Sequence, residues 1–309
     1  MTDTTLPRLI GRTAGTADGA PAPTLLVIAG LHGNEPAGVV AAERVLATIA
    51  RRGLMLRGGL VALRGNRRAM AAGRRFLERD LNRGWSADAV AAVRDGAEVA
   101  GPEGEERREL IAALDQVIAA TRGPLVVIDL HTTSANGVAF AMVGADPRQR
   151  AFAARFPPPV VSGLFGRIRG TLLEYLASAG FLALGMEGGQ NDRPKSALNH
   201  EALLWLALVE LQMLDLLAVP ELDEHRARLA GDRGALPHVV HVHHRHALWP
   251  DDDFRMEPGF FNLQRIQEGE LLARDRHGEI RAPETGVLLM PLYQSLGDDG
   301  FFLGREVGG

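Results

Sequence analysis

Hydrophobic and polar positions fall into two regimes along the chain. Up to about residue 217, short apolar runs alternate with Ala- and Leu-rich stretches of helical spacing. Thr24 to Gly30 (TLLVIAG), Gly59 to Leu63, Pro124 to Leu130 (PLVVIDL) and Phe181 to Met186 read as strands. PLVVIDL is nearly all apolar, as expected of a strand covered on both sides. Pro36 to Ile49, Gly104 to Thr121, Gly170 to Ala179 and Asn199 to Leu217 read as helices. This alternation predicts an α/β fold with a mixed, mostly parallel sheet flanked by helices. The pattern changes after Pro220. A charged stretch, Glu221 to Arg233, leads into short alternating runs punctuated by Pro, Gly and Asp from His238 onward. These predict a small C-terminal all-β domain, with residues 1–228 and 229–309 as the two units.

Composition removes several functional classes. With 46% apolar residues in 309, a large core is available. The 34 Lys and Arg nearly balance 38 Asp and Glu, leaving no electrostatic footprint for nucleic acid or an anionic membrane. No apolar run approaches the roughly 20 residues that span a bilayer. Met1 to Ala20 lacks the apolar core of a signal peptide and the basic amphipathic character of a transit peptide, so the expected location is the cytoplasm. The absence of cysteine excludes disulfides, Cys-based zinc sites, iron–sulfur clusters and a thiol nucleophile. Any metal must therefore sit on His, Asp and Glu. Lys195, the one lysine, is the sole candidate for Schiff-base chemistry.

Three polar clusters directly follow expected strands, where open α/β sheets bind ligands. The first, GLHGNEP, sets His32 and Glu35 three residues apart between flanking glycines. Imidazole and carboxylate are both zinc ligands, and the glycines let the backbone bend so that both reach one ion. The second, DLHTTS, ends a strand, so Asp129 and His131 share a face and Asp129 is placed to orient a metal-binding imidazole. The third is Glu187 in MEGG. Singly, these patterns are equally those of surface pairs, a hydrogen-bonded Asp–His and a helix cap. Together, two His and one Glu make a zinc set that keeps a coordination position open, with a carboxylate left over as a base. Guanidinium-rich GNRRAM and GRRFLERDLNR add candidate clamps for a carboxylate. Arg67, Arg68, Arg74 and Arg79 are expected mostly to form a solvated basic face.

GLHGNEPAG, GNRRAMAAGRRFLERDLNR, DLHTTS and the Glu187 strand, in this order, resemble the succinylglutamate desuccinylase/aspartoacylase family of zinc carboxypeptidase-like hydrolases. The resemblance extends through FFNLQRIQEGELLARDRHGE in the tail. It implies that His32, Glu35 and His131 hold Zn²⁺ and that Glu187 is the general base. It further implies that Arg75 polarises the scissile carbonyl while Asn82 and Arg83 grip a substrate carboxylate. The implied reaction cleaves an N-acetyl or N-succinyl amino acid, an acidic one favoured, to a carboxylate and a free amino acid. Two positions depart from the pattern. Arg167 and Arg169 lie near, but out of register with, a further substrate-binding arginine, and a tail tyrosine falls at Phe301 or Phe302.

Two other readings stay open. A metallocarboxypeptidase acting on peptides uses the same zinc and glutamate chemistry. The dense cluster His238, His241, His243, His244 and His246 suggests instead a non-enzymatic metal-binding or sensing protein. Alternation along a strand splits that cluster between two faces, which argues against it. Homo-oligomerisation is left open.

Overall fold

The computed structural model describes residues 6–13, 15, 21–231, 234–249 and 251–308; much of Met1 to Ala20, read above for targeting signals, lies outside the described residues. The chain begins with β1 (Leu9–Thr13), β2 (Thr24–Ala29), α1 (Ala37–Arg52), β3 (Gly59–Arg64), α2 (Arg67–Ala71), α3 (Ala87–Arg94) and α4 (Gly101–Ala120). It continues through β4 (Leu125–Thr133), β5 (Phe140–Val143), α5 (Pro147–Ala153), β6 (Val160–Ser162), α6 (Leu172–Ser178), β7 (Leu182–Gln190), α7 (Pro194–Glu210) and α8 (Leu222–Ala230). Beyond α8 every described regular element is a strand: β8 (Val239–Ala247), β9 (Arg255–Met256), β10 (Gln264–Ile266), β11 (Leu271–Asp275), β12 (Gly278–Arg281), β13 (Gly286–Leu289) and β14 (Asp299–Glu306).

The centre of the sheet is the parallel group β3-β2-β4-β7, and helices cover both of its faces. Strand β4 shows why. Val126, Ile128 and Leu130 pack into the core with α1 and α7, while Leu125 and Val127 pack into the opposite core with α4 and α6. Period-two alternation of an all-apolar run thus serves two hydrophobic layers. The proposed division near residue 228 falls inside α8, yet the sheet does not stop there. Strand β8 pairs in parallel with β6, and β14, β13 and β10 follow antiparallel, making one sheet of 11 strands. Strands β12, β11 and β9 form a separate sheet of 3.

The last helix of the α/β region differs from expectation. It starts earlier, at Pro194, where a ring-locked φ suits the first helical turn. It ends at Glu210 because Gln212 takes a positive φ of 56°. Leu216 and Leu217, read as helical, sit exposed in a short 3-10 turn. Among the described residues, no helix is long and apolar enough to cross a membrane.

Candidate active site

The carboxyl ends of β2, β4 and β7 bring the three polar clusters together. After β2, Gly30 turns the chain with φ 71°, and a Cβ there would lie 2.2 Å from Met70 Cε. A Cβ on Gly33 would lie 2.2 Å from the Ala69 carbonyl carbon, and the Gly33 amide donates to the Arg75 carbonyl at 3.0 Å. Both glycines therefore let this loop lie flat on α2 and the segment after it. His32 Nδ1 is 2.8 Å from Glu35 Oε1, and His131 Nδ1 is 3.2 Å from Glu35 Oε2. One ligand atom from each residue lies within 4.8 Å of the others, and this is the only such group of His, Asp and Glu among the described residues.

The far side of each imidazole meets a carboxylate. His131 Nε2 is 3.0 Å from Asp129 Oδ2, which identifies His131 as the imidazole that Asp129 meets. His32 Nε2 is 3.1 Å from Asp80 Oδ1. Both Nδ1 atoms are thereby turned toward Glu35, an arrangement in which carboxylates fix the tautomer and orientation of metal-binding imidazoles. The donor set fits a metal ion. Asp80 was not anticipated, although the one local signal was present in DLNR. Asp80 caps the short turn Leu81–Arg83, its Oδ1 also accepting from the Asn82 amide at 2.8 Å. Its Oδ2 accepts from Arg75 at 3.3 Å, while the other arm of Arg75 donates to Glu35 Oε1 at 3.2 Å.

Burial and charge set opposite protonation tendencies on these carboxyls. Burial opposes ionisation of Glu35, but His32 and His131 hold its pKa far below the ordinary range. Burial likewise opposes ionisation of Asp80, which His32, Arg75 and Arg83 hold well below the usual value. Burial alone would lower His131, yet Asp129 and Glu35 raise it well above the usual imidazole value. Glu187 goes the other way. It is the cross-strand neighbour of His131, and its Oε2 is buried without a hydrogen-bond partner. Burial pushes its pKa up to about 7, Glu35 assisting and His131, His32 and Arg75 opposing. A buried carboxyl near pH 7 beside a cluster of metal-ligand type is suited to proton transfer. Behind β7, His200 is fully buried against Gly188, and burial lowers its pKa to about 3. Nothing in the apolar pattern of α7 singled it out.

Asn82 and Arg83 line the same cleft but are already engaged. Asn82 Oδ1 accepts from the Leu172 amide at 2.9 Å, fastening α6. Arg83 donates to Asp299 Oδ2 at 2.9 Å and to the Asn82 carbonyl at 3.0 Å. Asp299, from β14, also accepts from Arg245 Nε and was not anticipated. Alternation on β14 resolves the two phenylalanines. Phe302 lines the cleft, while Phe301 stacks on His246 at 4.8 Å on the other face. Arg167 and Arg169 are exposed, and Ile168 between them faces the cleft.

One expectation is corrected. Arg67 and Arg68 do not form a free solvated face: they pair with Glu106 and Glu109 of α4, leaving the side chain of Arg67 11% and that of Arg68 32% exposed. Arg74 and Arg79 do lie exposed. Among the described residues, the tail histidines form no metal cluster. His241 meets Ser162, His243 meets Glu284, and His244 and His246 lie beside Phe301.

Known proteins share part of this sequence and this fold. A succinylglutamate desuccinylase of Burkholderia mallei (strain ATCC 23344) is 30% identical over 176 residues, 54% of this chain and 49% of that protein. The chain thus spans about half the length of that curated relative. The crystal structure of a succinylglutamate desuccinylase from Vibrio cholerae aligns over 96% of this chain and 85% of its own, with TM-score 0.68 and 18% identity. Murine aminoacylase 3 aligns over 93% and 96%, with TM-score 0.62 and 17% identity. At these identities the two structures attest a common fold. The model of the succinylglutamate desuccinylase/aspartoacylase catalytic domain matches residues 21–215, well over half of the sequence, and on that match the chain belongs to this family.

Proposed function

We propose that the chain is a cytoplasmic, zinc-dependent amidohydrolase that cleaves the amide of an N-acyl amino acid to a carboxylate and a free amino acid. The observation carrying this reading is the convergence of His32, Glu35 and His131, both imidazoles braced from behind, beside the buried Glu187. His32, Glu35 and His131 would hold Zn²⁺. When bound, the ion supplies positive charge that acidifies a water and polarises the scissile carbonyl.

The chain's own residues do the rest. Glu187 accepts the proton of the attacking water as the new C–O bond forms. It returns that proton to the nitrogen as the C–N bond breaks, so the amine leaves neutral. Arg75 faces the cleft and aims its guanidinium at the negative charge developing on the carbonyl oxygen. Asn82 and Arg83 hold the substrate's α-carboxylate, which fixes the amide against Glu187 before reaction. Elements of the tail wall the cleft, including Met290, Leu292, Asp299 and Phe302, and a cleft walled in this way suits a small molecule better than a peptide.

The test is metal content of the purified chain followed by amine release from N-acyl amino acids, with carboxypeptidase substrates alongside. About one Zn²⁺ per chain and chelator-sensitive amine release are expected. Release only from peptides would replace this reading with the metallocarboxypeptidase one, and release indifferent to metal removal would sink both.

A further inference from the structure

The cleft has two unlike sides. One runs past Thr133, Ser134 and Gln294, with Leu292 and Phe302 beside them; the other, past Asn82, Arg83 and Thr171, is walled by Met142, Leu164, Phe165, Ile168 and Leu173, and Met290 lines both. Behind two of these wall residues, Leu173 and Met142, lies Gly185 of β7, on the same strand face as Glu187 and two residues before it. In register, Gly185 lies between Asp129 of β4 and Met142 of β5. A Cβ at Gly185 would lie 2.9 Å from both Leu173 Cδ2 and Met142 Cε, so a larger residue there would intrude on the wall. At about 3.3 Å per residue, Gly185 lies roughly 6.6 Å along the strand from Glu187.

Charge points the same way. Glu35, Asp80, Asp129, Glu187 and Asp299 gather around Arg75 and Arg83, and Arg245 joins through Asp299. With a divalent cation added and Glu187 ionised, these groups come to neutrality, so they offer no surplus positive charge to a second substrate carboxylate. The exposed Arg167 and Arg169 do not supply one, since Ile168 takes the place facing the cleft. A carboxylate pressed against six apolar side chains would be desolvated without a partner.

We propose that the substrate is an N-acyl amino acid with an apolar side chain, and that these six residues determine its specificity in place of the acidic preference expected from sequence. The inference rests on the deacylase reading. Asn82 and Arg83 line the apolar side and not the other, so an α-carboxylate held there sets the amino-acid side chain, one atom away, at the mouth of the apolar wall. The acyl group then extends toward Ser134 and Gln294.

With the zinc-loaded enzyme and the acetyl group held constant, N-acetyl-leucine, -methionine and -phenylalanine are compared with N-acetyl-aspartate and -glutamate. The apolar substrates are expected to lead by roughly 10- to 100-fold in kcat/KM. Ile168→Arg should reverse the order. Should that variant fail to fold, Phe165→Ala, which removes wall without adding charge, should shrink the ratio. Equal or better turnover of the acidic substrates by the wild type, or a ratio that neither variant moves, overturns the proposal. Inactivity toward all five and toward their N-succinyl counterparts would overturn the deacylase reading instead. The pocket is then judged by thermal shift with the same compounds, where a larger shift with N-acetyl-aspartate than with N-acetyl-leucine overturns it and the reverse sustains it.

Discussion

Removing Asp80 perturbs several parts of the candidate site at once. Asp80→Ala deletes the acceptor behind His32 Nε2, the cap on the Asn82 amide, and a carboxylate partner of both Arg75 and Arg83. Losing the group that orients a metal-binding imidazole costs about 10- to 100-fold in metal affinity, or about 1.4 to 2.7 kcal/mol. Loss of the cap costs the fold about 1 kcal/mol more. A further effect follows from Arg75, which divides its guanidinium between Asp80 and Glu35. Without Asp80 it turns wholly to Glu35 and competes with the ion for that oxygen, placing Asp80→Ala at the upper end of the range. Asp80→Asn keeps an oxygen for the cap and for His32 but turns an amide toward Arg75, so an intermediate loss is expected. Asp129→Ala, which frees His131 without disturbing Arg75, belongs at the lower end. The assay is competition for Zn²⁺ against a chromogenic chelator at fixed pH, with unfolding of each metal-free variant as control. Affinities for both Asp80 variants within about twofold of wild type would refute the role assigned to this carboxylate.

Glu187→Gln should keep the metal and lose roughly 10²- to 10⁴-fold in turnover. Because the folded-state pKa is raised to about 7 from 4.5, the wild-type carboxyl loses stability relative to the amide as pH rises through that window. The variant's advantage in the metal-free protein should thus grow to about 3 kcal/mol and level off above pH 7; a pH-independent difference in urea unfolding contradicts this. Arg75→Ala should mainly lower kcat and Arg83→Ala mainly raise KM, with Lys restoring neither, since an ammonium lacks the planar fork. Identical kinetic signatures for the two alanine variants would show that their roles are not distinct.

The site was legible where chemistry sits at the end of an apolar run. His32 and Glu35 follow TLLVIAG, His131 ends PLVVIDL and Glu187 ends FLALGM, and a strand end in an open sheet is where residues remote in sequence meet. Partners that depend on tertiary folding alone were hidden. Asp80 stands among basic and apolar neighbours, and the His32 it supports is 48 positions away. Asp299 reads as part of a GDDG turn, and Arg83 lies 216 positions from it. Arg67 and Arg68 looked solvated because α4, which supplies Glu106 and Glu109, lies about forty positions on. The apolar run Leu211 to Leu217 kept a helical look past its end, since composition carries no trace of the left-handed backbone at Gln212. Continuity of the sheet into the tail rests on the three-residue strand β6, too short to stand out in a hydropathy pattern.

That continuity bears on how such an enzyme can change. A separable tail could be exchanged, duplicated or deleted while the hydrolytic centre persisted. Here β14 carries Asp299 and Phe302 into the cleft while lying between β8 and β13 in the sheet that positions the candidate metal-ligand cluster. Cutting the chain after α8 would leave β6 with a naked edge, open to pairing with other molecules. Substrate preference and solubility are thereby tied to the same ladder of hydrogen bonds. New specificities are therefore more accessible to loop substitutions around Ile168 and Met290 than to recombination of whole tails.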